Sequence, residues 1–208
     1  MKNLRASIAG LALLLSSLVW AAKLPEGADS PQALADRLVA AAKKSDGYEL
    51  AACTVPDDRN AIAGTLVFTT TMMVGAMGND ETQRAEGKKY RTELDSIFKK
   101  YGVDKNIKDP EAILRKDGAA DYSALVKGAD TVALTGDLMK FMKDLPGVAG
   151  DGPFAAYTRI SDVKVNGEKA SATGADGPLE FVKVGARWYV HVSPPTSELQ
   201  SDESPDSD

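Results

Sequence analysis

His191 is the only histidine and Cys53 the only cysteine of the 208-residue chain, which removes most metal and nucleophile chemistry at once. A zinc site built from several histidines or cysteines has no ligands to use, the HExxH pattern is absent, and no metal is expected. Serines and aspartates are plentiful enough for a Ser-His-Asp triad, yet no GxSxG elbow accompanies them. What is left is acid–base work of the isomerase or dehydratase kind, which needs an acid, base or phenol facing an apolar cavity where burial retunes its pKa. Asp130, Tyr157, Tyr189 and His191 are the candidates, chosen from their places near the expected sheet. In the "WYVHV" run, His191 shares a strand face with Tyr189, opposite Trp188, Val190 and Val192. That pair faces outward if the Trp face packs on helices, and lines a cavity if the sheet curls around one.

Other chemistry-bearing residues read as structure. Met73 and Met77 stand one helical turn apart, as do Met139 and Met142, with Met72 adjacent, and thioethers suit copper(I). Methionine at helical spacing among Leu, Phe and Val is also the ordinary filler of a core, and that reading is preferred. The "GVAGDG" stretch with Gly147, Gly150 and Gly152 lacks the Lys-Ser/Thr of a phosphate loop and runs into Pro153, so it is expected to link two halves of the chain. Asp104, Asn106 and Asp109 lack the central Gly and closing Glu of a calcium loop. Cys53 has no partner for an intramolecular disulfide and is expected to be a small buried residue. No cofactor is expected.

Helical grammar dominates the first two thirds of the chain. Ser30-Pro31 caps a helix with Leu34, Leu38 and Ala41 at helical spacing, stopped by Asp46-Gly47. Tyr48 to Cys53 adds a short helical turn. Pro56-Asp57-Asp58 then opens a helix that stacks Ile62, Leu66, Thr70, Met73 and Met77, ending at Gly78-Asn79-Asp80. A third long helix is expected from about Glu81 to Tyr101, with Gly102 as its stop. Asp109-Pro110-Glu111 opens a short helix closing at Gly118, and Tyr122 to Lys127 and Leu138 to Leu145 also read as helical. The "TVAL" stretch Thr131 to Leu134 reads alternatively as a short strand.

From Phe154 to Val192 the period changes to alternation: Ile160, Val163, Val165; Ala170, Ala172; Leu179, Phe181, Lys183; Trp188, Val190, Val192. Asn166-Gly167, Asp176-Gly177 and Gly185-Ala186 fall at the breaks. Three to four curved antiparallel strands in a meander are expected, with the N-terminal helices packed on one face, an α+β arrangement.

The ends of the chain carry its address. Lys2 and Arg5 precede an uncharged run from Ala6 to Trp20, and Val19 and Ala21 suit a peptidase cut that leaves Ala22 as the first mature residue. The run is shorter than the roughly 20 residues of a membrane span, and Ala22 stands where a lipoprotein needs cysteine. Residues 1–21 therefore read as a signal peptide, 22–29 as a linker, 30–192 as a single domain, and 193–208 as a disordered acidic tail. Taking Lys2 and Arg5 from the 25 basic residues leaves 23 against 30 acidic ones, a net charge near minus seven. That balance is wrong for a nucleic-acid binder.

The stretches "SPQALADRLVAAAKKSDGYELAACTVPDDRNAI" and "ISDVKVNGEKASATGADGPLEFVKVGARWYVHV" resemble the opening and the last strands of secreted bacterial domains in the NTF2-like, cone-shaped α+β superfamily. The segment Glu81 to Leu145 is longer and more helical than those domains carry. The resemblance implies a curved sheet around a helix with a cavity between them, and it implies no particular reaction. The expected function is an exported, soluble, non-catalytic domain, periplasmic or extracellular, with no nucleic acid and no stable membrane anchor. Its partner would be an unknown protein or a small apolar ligand. A cavity enzyme using an Asp/Tyr/His set is the alternative.

Overall fold

Local caps set the helices before any packing does. In the computed structural model, which describes residues 26–79, 84–107, 122–146 and 152–192, Ser30 accepts the Ala33 amide at 3.1 Å and Pro31 opens helix α1, Pro31–Lys44. Ser45, in the left-handed region at φ 51, ends it. Asp46 caps α2, Gly47–Cys53. Helix α3 spans Pro56–Asn79, α4 Arg84–Tyr101 and α5 Thr131–Lys143. The "TVAL" stretch is therefore the first turn of α5, and the strand alternative is corrected. Asp130 accepts the Ala133 amide, and this cap outweighs the β-branched Thr131 and Val132. Short 3₁₀ turns occupy Val103–Lys105, Tyr122–Val126 and Gly152–Tyr157. Alternation consequently begins later than the sequence suggests, after Tyr157. The expected signal peptide, the expected helix at 109–118, residues 147–151 and the acidic tail lie outside the described residues.

Four strands follow: β1 Ser161–Asn166, β2 Lys169–Thr173, β3 Pro178–Val184 and β4 Arg187–His191, paired antiparallel in the order β1-β2-β3-β4. Gly167 at φ 62 makes the β1–β2 turn that the Asn-Gly pair foretells. The register aligns Ala170, Phe181 and Val190 across three strands, and all three are buried. With Ala172 and Trp188 they form the inner face, packed on α1 through Leu34 and Leu38. Lys164, Ser171, Glu180 and His191 align on the outer face. The free edge of β4 is covered by the chain entering and leaving α1 and α2. Ala28 and Trp188 exchange backbone bonds of 2.9 and 2.8 Å, and the Val55 amide donates to Val190 at 3.0 Å.

A second core joins α3, α4, α5 and the Tyr122–Val126 turn around Val67, Leu94, Phe98, Leu134 and Leu138. Among the described residues α3 is the one helix long and apolar enough to cross a membrane. Here it runs through the helical half instead, stacking Phe68 on Tyr122 at 4.5 Å between ring centres. Helix α5 serves both cores. Leu134, Leu138 and Phe141 face the second, whereas Met139 belongs to the first.

Candidate ligand cavity

Where the two cores meet, the packing leaves a cavity of about 100 Å³. Helix α2 contributes Leu50 and Ala51, and α3 contributes Arg59 and Ile62. Helix α5 adds Thr135 and Met139, and Thr54, Tyr157 and Val192 complete the wall. The positions follow from helix periodicity, since Thr135 and Met139 are one turn apart and present the same face. Most of that surface is apolar.

The one charged residue among the described lining residues is already committed. Arg59, 7% exposed, donates from Nε to the Thr54 carbonyl at 3.0 Å, from Nη2 to the Ala52 carbonyl at 3.1 Å and from Nη1 to Glu26 at 2.8 Å. It thus satisfies carbonyls at the C-terminal end of α2, where a cation also complements the helix dipole, and ties that end to the entering chain. Its guanidinium lies 5.8 Å from the centre of the Tyr189 ring. Arg187 reinforces the same segment through the Glu26 and Gly27 carbonyls, and Arg37 through the Gly27 carbonyl and Glu49.

Two hydroxyls in the wall are not committed. Thr135 is 2% and Tyr157 7% exposed, and the structure gives neither side chain a hydrogen-bond partner among the described residues. Thr65, Thr70, Thr71 and Thr92 all donate to the carbonyl one turn back in their helices; Thr135 does not. Among the described residues no sealed side-chain polar atom lacks a partner, so each of these hydroxyls keeps some open surface, and for so buried a threonine that surface is the cavity. Burial pushes the Tyr157 phenol up to about 12, which keeps it neutral.

The four candidate acid–base residues do not converge. Tyr157 alone lines the cavity. Asp130 is the exposed cap of α5. Tyr189 is buried on the opposite side of β4 from Trp188, close against Gly27, where an added Cβ would stand 2.7 Å from its ring. His191 places Nδ1 2.8 Å from the Asp58 carboxylate, which also accepts the Val192 amide at 3.0 Å. Neighbours on a strand point to opposite faces, and it is Val192 that reaches the cavity.

Of the other chemistry-bearing residues, Cys53 is fully buried, and burial pushes its thiol up to about 11 against the pull of Arg37. The methionines divide: Met73 and Met77 pack on the second core, Met139 on the first, and Met72 is exposed. A polar knot outside the cavity holds α2, α4 and α5 together. Asp137 accepts from Tyr48, from Tyr101 at 2.7 Å and from Lys100 at 2.7 Å. Burial pushes the Asp137 carboxyl up, but these three donors outweigh it and hold the group below its ordinary value.

Leu50, Ile62 and Met139 carry no mark of a cavity in the sequence, because the space exists only between elements far apart in the chain. One local hint was legible. Thr135 interrupts an otherwise apolar stretch of α5 and, at helical spacing, falls in line with Met139 and Met142. Comparison with protein-family models, with curated proteins and with solved structures finds no match to this chain.

Proposed function

We propose that this protein is an exported, soluble, non-catalytic binding domain and that the cavity between α2, α3, α5 and the end of β4 is its ligand site. The observation that carries the reading is the wall itself. It is apolar, its one charged member is consumed by structural bonds, and of the acid–base candidates only a neutral phenol reaches it. Such a wall favours uptake of a small apolar molecule over proton transfer. The NTF2-like resemblance is kept as part of the proposal, since it implies a curved sheet around a helix with a cavity between them.

The reading is tested by thermal-shift titration of the mature chain with a panel of small neutral organic molecules, beside Ile62→Phe, which fills the cavity from its partly buried side. Saturable stabilisation of the wild type and none of the variant supports it. A panel without effect on the wild type, or with equal effect on both, defeats it. Export is checked separately by sequencing the N-terminus of protein recovered outside the cytoplasm, where Ala22 is expected first.

A further inference from the structure

Resting on that reading of the cavity, we infer that the ligand is a neutral molecule of about four to six heavy atoms with one hydroxyl or carbonyl oxygen, held by the Thr135 and Tyr157 hydroxyls. Size follows from volume: an apolar cavity of about 150 Å³ takes up benzene, and this one, at about 100 Å³, is somewhat smaller. Neutrality follows from the wall. An anion would meet a cation already paired with the Glu26 carboxylate, and a cation would meet no carboxylate among the described lining residues. Desolvating either charge without a partner is prohibitive.

The polar atom follows from the two hydroxyls. Each belongs to a residue that is more than nine-tenths buried and that lines the same space, and each can donate and accept. A purely apolar occupant would seal both without a partner, at the penalty attached to any buried unsatisfied group. A ligand oxygen relieves it. Thr135 in particular forgoes the bond to its own helix that four other helical threonines make, so its hydroxyl remains available.

The test compares 1-butanol with 1-chlorobutane, equal in heavy atoms and differing in the hydroxyl, by thermal-shift titration of wild type, Thr135→Val, Tyr157→Phe and the double variant. The ratio of alcohol to chloride affinity is expected to be about five- to tenfold higher in the wild type than in the double variant, the worth of one net hydrogen bond. Each single variant falls between the two. Both substitutions remove a hydroxyl that bonds to no described residue, so the ligand-free variants are expected to melt no lower than the wild type. If the ratio is the same in the wild type and the double variant, the inference on ligand class falls while the cavity reading stands. If neither probe binds, the cavity holds water only and both fall.

Discussion

Gly136→Ala perturbs the contact that fixes α2 against α5, and hence the two helices that supply Leu50, Ala51, Thr135 and Met139 to the cavity. A Cβ at position 136 would stand 2.3 Å from two ring carbons of Tyr48, so the ring must retreat by about 1 Å to regain van der Waals separation. The ring moving away takes with it the Tyr48 hydroxyl bond to Asp137. Overpacking costs about 1–3 kcal/mol, and a bond to an ionised acceptor adds about 1.5 kcal/mol at the low end, used because Asp137 keeps 19% exposure. Against this, alanine is better than glycine inside a helix by about 1 kcal/mol. The net expectation is a loss of about 1.5–3.5 kcal/mol, a large share of the 5–15 kcal/mol typical of a domain. Urea unfolding with an unchanged m-value reads it directly. A double-mutant cycle supplies the sharper comparison: in a Tyr48→Ala background the ring is gone, and alanine at 136 should be neutral or stabilising. If Gly136→Ala in the wild type is neutral or stabilising, the packing argument is wrong.

Arg59→Leu removes the guanidinium shared by Glu26 and the Ala52 and Thr54 carbonyls, while Ala52 keeps its bond from the Gly27 amide, and a loss of about 2 kcal/mol is expected in urea unfolding; a loss within experimental error would show that the entering chain is held by other means. Cys53, buried with its thiol at about 11, should react with an aromatic disulfide reagent only at the rate of unfolding, and stoichiometric labelling within minutes under native conditions would contradict its placement. Asp137 has a lowered folded pKa, so its contribution is complete above the ordinary value of 3.8 and is lost as pH falls through the folded value. Asp137→Asn should therefore show a shallower acid loss of urea resistance than the wild type; parallel acid limbs would refute the knot's role. On the alkaline side Tyr48, raised to about 12 by burial and by Asp137, contributes stability below pH 10 that is lost as pH rises through 12. Tyr48→Phe should flatten that limb.

Elements with local chemistry were legible in the sequence. The Ser30-Pro31 cap, the Asp57-Asp58 opening of α3, the Asn166-Gly167 turn and the alternation of Ala170, Ala172, Phe181 and Val190 each carry their cause within a few residues, and the structure places helices before a four-stranded meander as expected. Where two local rules compete, reading failed: Thr131 and Val132 suggest a strand, but the Asp130 cap decides for a helix. Asp130 illustrates the harder limit, since a capping aspartate and a catalytic one look alike until its bond is seen. The cavity was least legible. Tyr157 was picked from its place near the sheet, while Thr135 and Leu50 meet it only through contacts spanning most of the chain. Arg59 gave no local warning of burial, because its partners lie on Glu26, Ala52 and Thr54.

The cavity carries a natural reporter. Of the five methionines beyond residue 21, only Met139 lines it, so isotope-labelled methionine methyl resonances offer one probe and four references in a single spectrum. Titration of the mature chain with 1-butanol is expected to move the Met139 methyl saturably while those of Met72, Met73, Met77 and Met142 change little, and Ile62→Phe should remove the effect. A silent Met139 at saturating probe, or all five methyls drifting together without saturation, would contradict the assignment of this cavity as the ligand site.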